Sequence, residues 1–497
     1  MRKELLVNAT PPETRVAFTE DGRTVEVFHE RRGRQGFVGN VYKGRVHRVL
    51  PGMQAAFVAI GLDRDAFLYV EDAVPRPVDA ESGEVGDDTL VPGAALREDR
   101  PRIDDVLKEG QEIVVQVTKD PLSGKGPRVT TNIAVPGRTL VYLPGVPEVG
   151  ISRRVTDPAE RDRLRAILES FSAEGTFIAR TAAQGAAAAQ LEVDRAYLTD
   201  LAGRIARKAE NTATPALLHR ELDLALRVTR DLAGNDIDAI RVDDEAAAFR
   251  LEEFLRGLAP SLAARVERFE KLEPIFEVFG VEAEIEAALK NRVPLPSGGS
   301  IVIHQTEALV AIDVNTGRFV GKEGLEETVF AANLEAVPEI GRQIRLRDLG
   351  GLLVVDFIDM EDPEHRHEVV TKFEAELAKD RSRSRVLQIS DFGLVEITRK
   401  RSRGNLERVL TRACPECAGS GRIKTDLTAA LDLRRALLKP PSLFTSGETV
   451  RVKVHPTLAR FLVEDEPDIL RDAEAALNVR IEILEDQALP SGGYTIN

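Results

Sequence analysis

Cysteine is nearly missing from this sequence: Cys414 and Cys417 are the only two in 497 residues, which excludes a disulfide framework and fits a reducing compartment. Long apolar runs are missing as well. No stretch approaches the roughly 18 apolar residues of a membrane span, and the opening MRKELLVNATPPETRV lacks the apolar core of a signal peptide. The chain is therefore expected to stay in the cytoplasm. Basic excess is also absent, because Asp plus Glu outnumber Lys plus Arg by 82 to 68, a formal charge of −14 that argues against a general nucleic-acid coat. What is present is 43% hydrophobic residues over a length sufficient for several cores, suggesting roughly three or four domains.

Charge distribution carries more than its sum. Residues 291–412 hold 18 Lys or Arg against 20 Asp or Glu, with a basic run at Arg399, Lys400, Arg401 and Arg403. Such a run is either a local nucleic-acid groove or a solvated face.

The alternation in residues 15–29 predicts two strands joined at Asp21-Gly22, a pair that supplies the positive φ of a two-residue hairpin turn. Between residues 36 and 133 the runs NVYKGRVHRV, QAAFVAIG, DAFLYV, EIVVQVTK and RVTTNI predict five short strands, and so a small barrel of the OB type. The Pro-, Gly- and acid-rich stretch from Pro75 to Pro101 reads as a loop inserted in that barrel. Helical periodicity over 157–171 and 190–211 flanks one strand, TFIART (176–181), and the Ala-rich piece at 182–189 reads as a loop. A helical section is predicted from 215 to 290, interrupted by strand-like DIDAIRV, and LPSGGS (295–300) marks the clearest boundary.

Beyond it, LVAIDVNTG (309–317) and GGLLVVDFIDM (350–360) are both short β-branched runs that arrive at an aspartate. The segment between them, 326–347, has helical spacing, with Pro338 expected to kink or shorten the helix. Strand, helix, strand implies a crossover with parallel pairing, which brings both C-terminal strand ends to one edge, where open α/β sheets bind ligands. Asp313 and Asp356 should then lie together. Two adjacent carboxylates repel unless a divalent cation stands between them, and magnesium, which accepts one or two carboxylates and keeps waters and phosphate oxygens, suits the position. Asn315 would share their side of the sheet. The plain alternative is that each aspartate merely caps or turns the chain. Spacing alone, moreover, does not separate a nuclease from a phosphatase.

AIDVNTGRFVG (311–321), NLEAVPEIGRQIRLRDLGGLLVVDFIDM (333–360) and CPECAGSGR (414–422) resemble the catalytic core of the ribonuclease E/G family, and residues 40–61 and 295–313 resemble its flanking segments. The likeness spans nearly the whole chain. NTG followed by Phe319-Val320-Gly321, and the lack of a long C-terminal tail after Asn497, resemble the G branch more than the E branch. The resemblance implies a multidomain α/β (α+β) fold: an RNase H-like domain from residues 1–35 plus 226–290, an OB-fold RNA-binding domain (36–130), a 5′-phosphate sensor region (131–225), a DNase I-like catalytic domain (291–412), a zinc link (413–424) and a small C-terminal α/β domain (425–497). It implies that Asp313 and Asp356 bind catalytic magnesium, that Asn315 supports the scissile phosphate, and that hydrolysis leaves a 5′-phosphate and a 3′-hydroxyl.

For RNA contact, the predicted barrel carries Tyr42, Phe57 and Phe67 among Lys43, Arg45, Arg48, Lys119 and Lys125. Aromatics stack bases while cations follow phosphates, although an aromatic in a strand is more often core. The resemblance selects Phe57, Phe67, Lys119 and Lys125. Likewise the guanidinium of Arg180 and the hydroxyl of Thr181 could hold a terminal phosphate, although Arg180 by itself reads as a surface arginine in a salt bridge; the resemblance joins the two with Gly137 and Val141 in a pocket that senses a 5′-monophosphate, while the Ala-rich loop after them departs from the family's Gly- and Lys-rich pattern.

Cys414 and Cys417, with Gly419 and Gly421 behind them, have zinc-knuckle spacing, and a structural zinc wants four ligands. With no second pair in the chain, two chains each donating one pair across a twofold axis is the economical solution, which the resemblance supports. A thioredoxin-like redox pair and two inert thiols are the competing readings. The expectation is a magnesium-dependent endoribonuclease acting on single-stranded, A/U-rich RNA in ribosomal RNA maturation and mRNA decay, a homodimer whose pairing into tetramers stays open. The alternatives are a non-catalytic RNA-binding assembly factor and a small-molecule phosphohydrolase, which would leave the barrel without a purpose.

Overall fold

The computed structural model describes the chain apart from residues 34–35, 76–100, 122–124, 146–147, 172–174, 235, 318–323, 383, 390–393, 401–404, 418, 440–443 and 497. Two compact units divide at Leu406 and Glu407.

Within the first unit, Lys3–Ala9, Glu13–Glu20 and Arg23–Arg31 form an antiparallel meander, and Ala239–Val242 then Val266–Arg268 extend the other side of the first strand in parallel. Asp21 and Gly22 take φ of 50° and 78°, the left-handed conformation the expected hairpin turn requires. Helices Leu224–Leu232 and Glu245–Leu258 pack on this sheet through Leu224, Val228, Leu251 and Leu255. The section expected to be helical around one strand therefore contains two more, Ala216–His219 and Val266–Arg268. They are too short to impose a period of two on a sequence dominated by neighbouring helices.

The five strands expected after Gly36 are present as Val41–Leu50, Ala55–Ala59, Ala66–Tyr69, Glu112–Lys119 and Arg128–Thr130. Val41–Leu50 pairs with both Ala55–Ala59 and Glu112–Lys119, and the remaining pairings complete a ring, so the barrel is closed and OB-like. Ala56, Val58, Leu68, Val115, Val117 and Val129 fill it. Of the loop expected between Pro75 and Pro101, residues 76–100 lie outside the described residues. A smaller sheet of Val135–Pro136, Leu140–Pro144, Val149–Ile151 and Gly175–Ala179 packs with helices Pro158–Glu169 and Ala188–Asn211.

The fourth sheet runs in the order Arg292–Pro294, Ser300–Gln305, Leu309–Asn315, Gly351–Asp356, Leu394–Arg399, Ser384–Ile389. LPSGGS is thus a hairpin turn inside this sheet and not the boundary expected there. Ile303, Val310, Ile312, Leu353, Val355 and Ile397 turn toward helices Leu325–Leu346 and Pro363–Leu377, with Val337, Ile340, Ile344, Val369 and Phe373 closing the core. Each such buried side chain contributes about 1.5–3 kcal/mol, and a one-residue slip would turn the whole set outward, which fixes the register. Pro338 neither ends nor shortens its helix, which continues to Leu346. Proline withdraws the N–H that would bond the carbonyl four residues back, and that carbonyl, on Leu334, instead accepts from Lys372 Nζ at 3.2 Å.

The second unit, taken by itself, has helix Asp426–Leu437, strand Thr449–Val454, helix Asp468–Leu477 and a parallel strand Arg480–Glu485, an α/β arrangement within residues 425–497. A third strand, Tyr494–Ile496, adds antiparallel to the first. Among the described residues of the whole chain, no helix is long and apolar enough to cross a membrane.

Candidate active site and its binding surfaces

Crossover and register together bring the two aspartates side by side. Leu309–Asn315 and Gly351–Asp356 pair in parallel, and Asp313 stands directly opposite Asp356. Strand alternation turns Val310, Ile312 and Val314 into the core and leaves Ala311, Asp313 and Asn315 exposed on the opposite face, together with Asp356. The carboxylates therefore sit on a solvent-facing sheet surface backed by rigid packing. Asn315 Nδ2 donates to Asp313 Oδ2 at 2.7 Å. Burial, then the charges of Asp313 and Asp359, hold the Asp356 carboxyl above the usual carboxylate range.

Two supports were not anticipated. Asn333, fully buried on the crossover helix, donates from Nδ2 to Ile358 O at 2.8 Å and accepts from Ile358 N at 3.0 Å, pinning the segment that follows Asp356. Its signal was a polar residue on the apolar face of a helix. A Cβ on Gly299 would meet Asn315 O at 2.8 Å, and Gly317, at φ 59°, would meet Gly298 O at 2.6 Å, so these glycines let two turns close around Asn315. Arg318, Phe319, Val320 and Gly321 lie outside the described residues.

On the barrel, Phe57 and Phe67 face each other across adjacent strands with ring centroids 5.8 Å apart, edge to face. Both are half-buried on the outer surface. Tyr69, two residues after Phe67, extends the cluster at 5.6 Å and is 39% exposed, with Arg128 lying 5.8 Å from its ring centre. Period-two alternation in DAFLYV contained that signal. Tyr42 instead belongs to the barrel core. Lys43 and Arg45 both bind Glu112, at 3.2 and 2.7 Å, while Lys119 and Lys125 lie on the exposed surface. The basic run near 400 also divides: alternation sends Arg399 inward, where it bonds Asp380 at 2.6 Å and Asp348 at 2.7 Å, and Arg401 and Arg403 lie outside the described residues. Arg399 is thus a structural cation, not part of a groove.

The structure joins Gly137, Arg180 and Thr181 in one place. Arg180 Nη1 donates to Gly137 O and pairs with Asp231 Oδ1 at 2.9 Å, while the Thr181 and Ser152 hydroxyls share a hydrogen bond of 3.2 Å. Val141 lies on the neighbouring strand, paired with Ile178 and Pro136. Beneath them is Asp194, 2% exposed, whose carboxylate accepts from the backbone N–H groups of Arg138, Thr139 and Leu140 and from the Thr139 hydroxyl. A Cβ on Gly137 would stand 2.4 Å from Asp194 Oδ1, which accounts for glycine there.

Residues 134–402 match the model of the ribonuclease E/G family, and 413–497 match that of the RNase E/G thioredoxin-like domain. The chain is 42% identical over 484 residues to ribonuclease G of Escherichia coli K12, covering 97% of each, and 40% identical to ribonuclease G of Haemophilus influenzae over 97% of each. It is 34% identical to ribonuclease E of E. coli K12 over 99% of this chain and 46% of that one. The chain belongs to the ribonuclease E/G family.

Its cysteine pair lies in the segment the family's thioredoxin-like model covers, yet the turn holding Cys414 and Cys417 precedes the βαβ unit of residues 449–485 and is not built into it. Gly421 N donates to Cys417 Sγ at 3.3 Å. Backbone N–H groups of Gly421 and Gly419, followed by Cys414, pull the Cys417 thiol below its usual range, the condition a thiolate ligand needs. Among the described residues no three His, Cys, Asp or Glu side chains are grouped to hold a metal.

Proposed function

We propose that this member of the ribonuclease E/G family is an endoribonuclease of the G branch, hydrolysing phosphodiester bonds in single-stranded, A/U-rich RNA during ribosomal RNA maturation and mRNA decay. The observation that carries the reading is the register pairing of Asp313 with Asp356 on an exposed sheet face, beside Asn315, in a chain 42% identical to ribonuclease G along almost its full length.

Magnesium fits this site: two carboxylates stand opposite each other on an exposed sheet face, and a two-carboxylate set leaves room for waters and phosphate oxygens. When bound, the ion would offset phosphate charge and acidify a water. Asp313 and Asp356 would hold it. Asn315 steadies Asp313 through one oxygen, Oδ2, and its carbonyl side remains to orient the site; the family's role for this position is support of the scissile phosphate. The products are a 5′-phosphate and a 3′-hydroxyl. Phe57, Phe67 and Tyr69 offer stacking faces, with Lys119 and Lys125 for the backbone.

Gly137, Val141, Arg180 and Thr181 form a pocket for a 5′-monophosphate that stimulates cleavage. Cys414 and Cys417 supply half of a zinc site completed by a second chain, making a homodimer. The meander sheet with its two parallel additions is read as RNase H-like, and the two-aspartate sheet as DNase I-like. A non-catalytic RNA-binding factor is the other reading, and retention of both aspartates weighs against it.

The test incubates purified protein with a single-stranded oligoribonucleotide and with the same sequence in a duplex, with magnesium and with a chelator. Cleavage of the single strand only, and only with magnesium, is expected; cutting in chelator would overturn the metal reading, and no cutting at all would favour the binder.

A further inference from the structure

The guanidinium of Arg180 is held from one side. Among the described residues its bonds, to Gly137 O and to Asp231 Oδ1, are both made by Nη1, and a guanidinium has five N–H donors, so Nη2 and Nε keep three for a ligand. Asp231 closes the helix Leu224–Leu232, and its carboxylate is itself fixed by Arg230, whose Nε and Nη2 each donate at 3.1 Å while Nη1 bonds Glu221 at 2.8 Å. Burial would raise the Asp231 carboxyl, yet the charges of Arg180 and Arg230 hold it below its usual range, so it stays an anion.

The end of that helix is gripped from the two-aspartate sheet. Arg381, in the connection between helix Pro363–Leu377 and strand Ser384–Ile389, donates to the carbonyls of Asp231 and of Leu232, the latter at 2.9 Å, and its own carbonyl accepts from Arg154. Arg154 follows Ser152, whose hydroxyl bonds Thr181, so the network returns to the pocket. Fixed donors recognise a planar or tetrahedral oxyanion better than mobile ones, because less side-chain entropy is lost on binding.

We propose that Asp231 is the positioning residue of the terminal-phosphate pocket: it presents the Nη2 and Nε edge of Arg180 to the ligand, and Arg381 holds Asp231 in place from the nuclease sheet. This rests on reading the pocket as a 5′-monophosphate site. It adds a residue that touches no substrate and gives end recognition a hydrogen-bonded path to the connection that leads into the sheet bearing Asp313 and Asp356.

The experiment measures kcat and KM on 5′-monophosphate and 5′-hydroxyl versions of one single-stranded oligoribonucleotide for wild type, Arg180→Ala, Asp231→Asn, Asp231→Ala and Arg381→Met, with a thermal melt of each. In Asp231→Ala the ratio of kcat/KM for the two ends falls on the order of tenfold toward one, by analogy with the loss of an outer partner behind a metal ligand. The fall appears in KM for the phosphorylated end. Asp231→Asn, which keeps an acceptor oxygen without the charge, falls between, and Arg381→Met follows the same direction. A wild-type ratio of one overturns the sensor reading and this inference with it. A ratio lost in Arg180→Ala but intact in Asp231→Ala overturns the inference alone, as does an Asp231→Asn protein that melts normally and loses both substrates equally.

Discussion

Asp194→Ala tests how the pocket loop is built. The Asp194 carboxylate accepts at 3.2, 2.6 and 2.8 Å from the N–H groups of Arg138, Thr139 and Leu140 and at 2.8 Å from the Thr139 hydroxyl. Hydrogen bonds to a charged group contribute about 1.5–3 kcal/mol each, but four on one carboxylate are not additive, and water entering the space left by the side chain restores part of the loss. The expected net cost is about 3–5 kcal/mol, the range for stranding buried partners. Because the stranded donors are consecutive, that cost falls on residues 138–140 before it reaches the distant sheets. Hydrogen exchange at Arg138, Thr139 and Leu140 should accelerate by about two decades or more, since each 1.36 kcal/mol is a factor of ten. Gly137→Ala should act alike, its Cβ being 2.4 Å from Asp194 Oδ1, and the double variant should cost less than the sum of the two. Exchange at these amides within threefold of wild type would refute the account of the loop.

Three further outcomes are expected. Protons compete with a cation for Asp356, whose carboxyl is held above the usual range, so cleavage falls on acidification earlier than for an ordinary aspartate pair; Asp359→Asn, removing one of the charges responsible, moves that acid limb to lower pH, and an unmoved limb would remove Asp359 from the explanation. Tyr69→Ala weakens single-stranded RNA binding by about 1–3 kcal/mol in a filter or anisotropy assay if the ring is a stacking platform, and leaves it unchanged if it only shields the barrel. Cys414→Ser converts dimers to monomers and abolishes bound zinc, read by light scattering and metal analysis; an unchanged mass would end the shared-metal proposal.

How far the sequence could be read depended on whether one local rule governed a segment. The barrel strands, the Asp21-Gly22 turn and the two aspartate strands obey simple periodicity, and all stand where it puts them. Errors came where a tertiary partner overrode the local rule. The helix of Pro338 is not shortened and runs on to Leu346, and Lys372, distant in sequence, takes the freed carbonyl. Arg399 sits in a basic run yet is buried, because Asp348 and Asp380 are brought to it by folding. Lys43 and Arg45 looked available for phosphates until Glu112 appeared on the adjoining strand. Short strands such as Ala216–His219 take their conformation from the neighbour they pair with, here Val41–Leu50, and leave little mark on the sequence. At the site, the paired aspartates were legible; Asn333, Asp194 and Asp231, which hold functional groups in place, were not, since their meaning lies in partners far along the chain.

The central claim is that Asp313 and Asp356 act as one unit beside the RNA backbone. Cleavage and affinity for one short single-stranded oligoribonucleotide, measured for wild type, Asp313→Asn and Asp356→Asn in magnesium, test it directly. Loss of cutting by at least about a thousandfold in both variants, with RNA affinity within a few-fold of wild type, is predicted from a transition-state contribution of roughly 4 kcal/mol. Near wild-type cutting by either variant would contradict it.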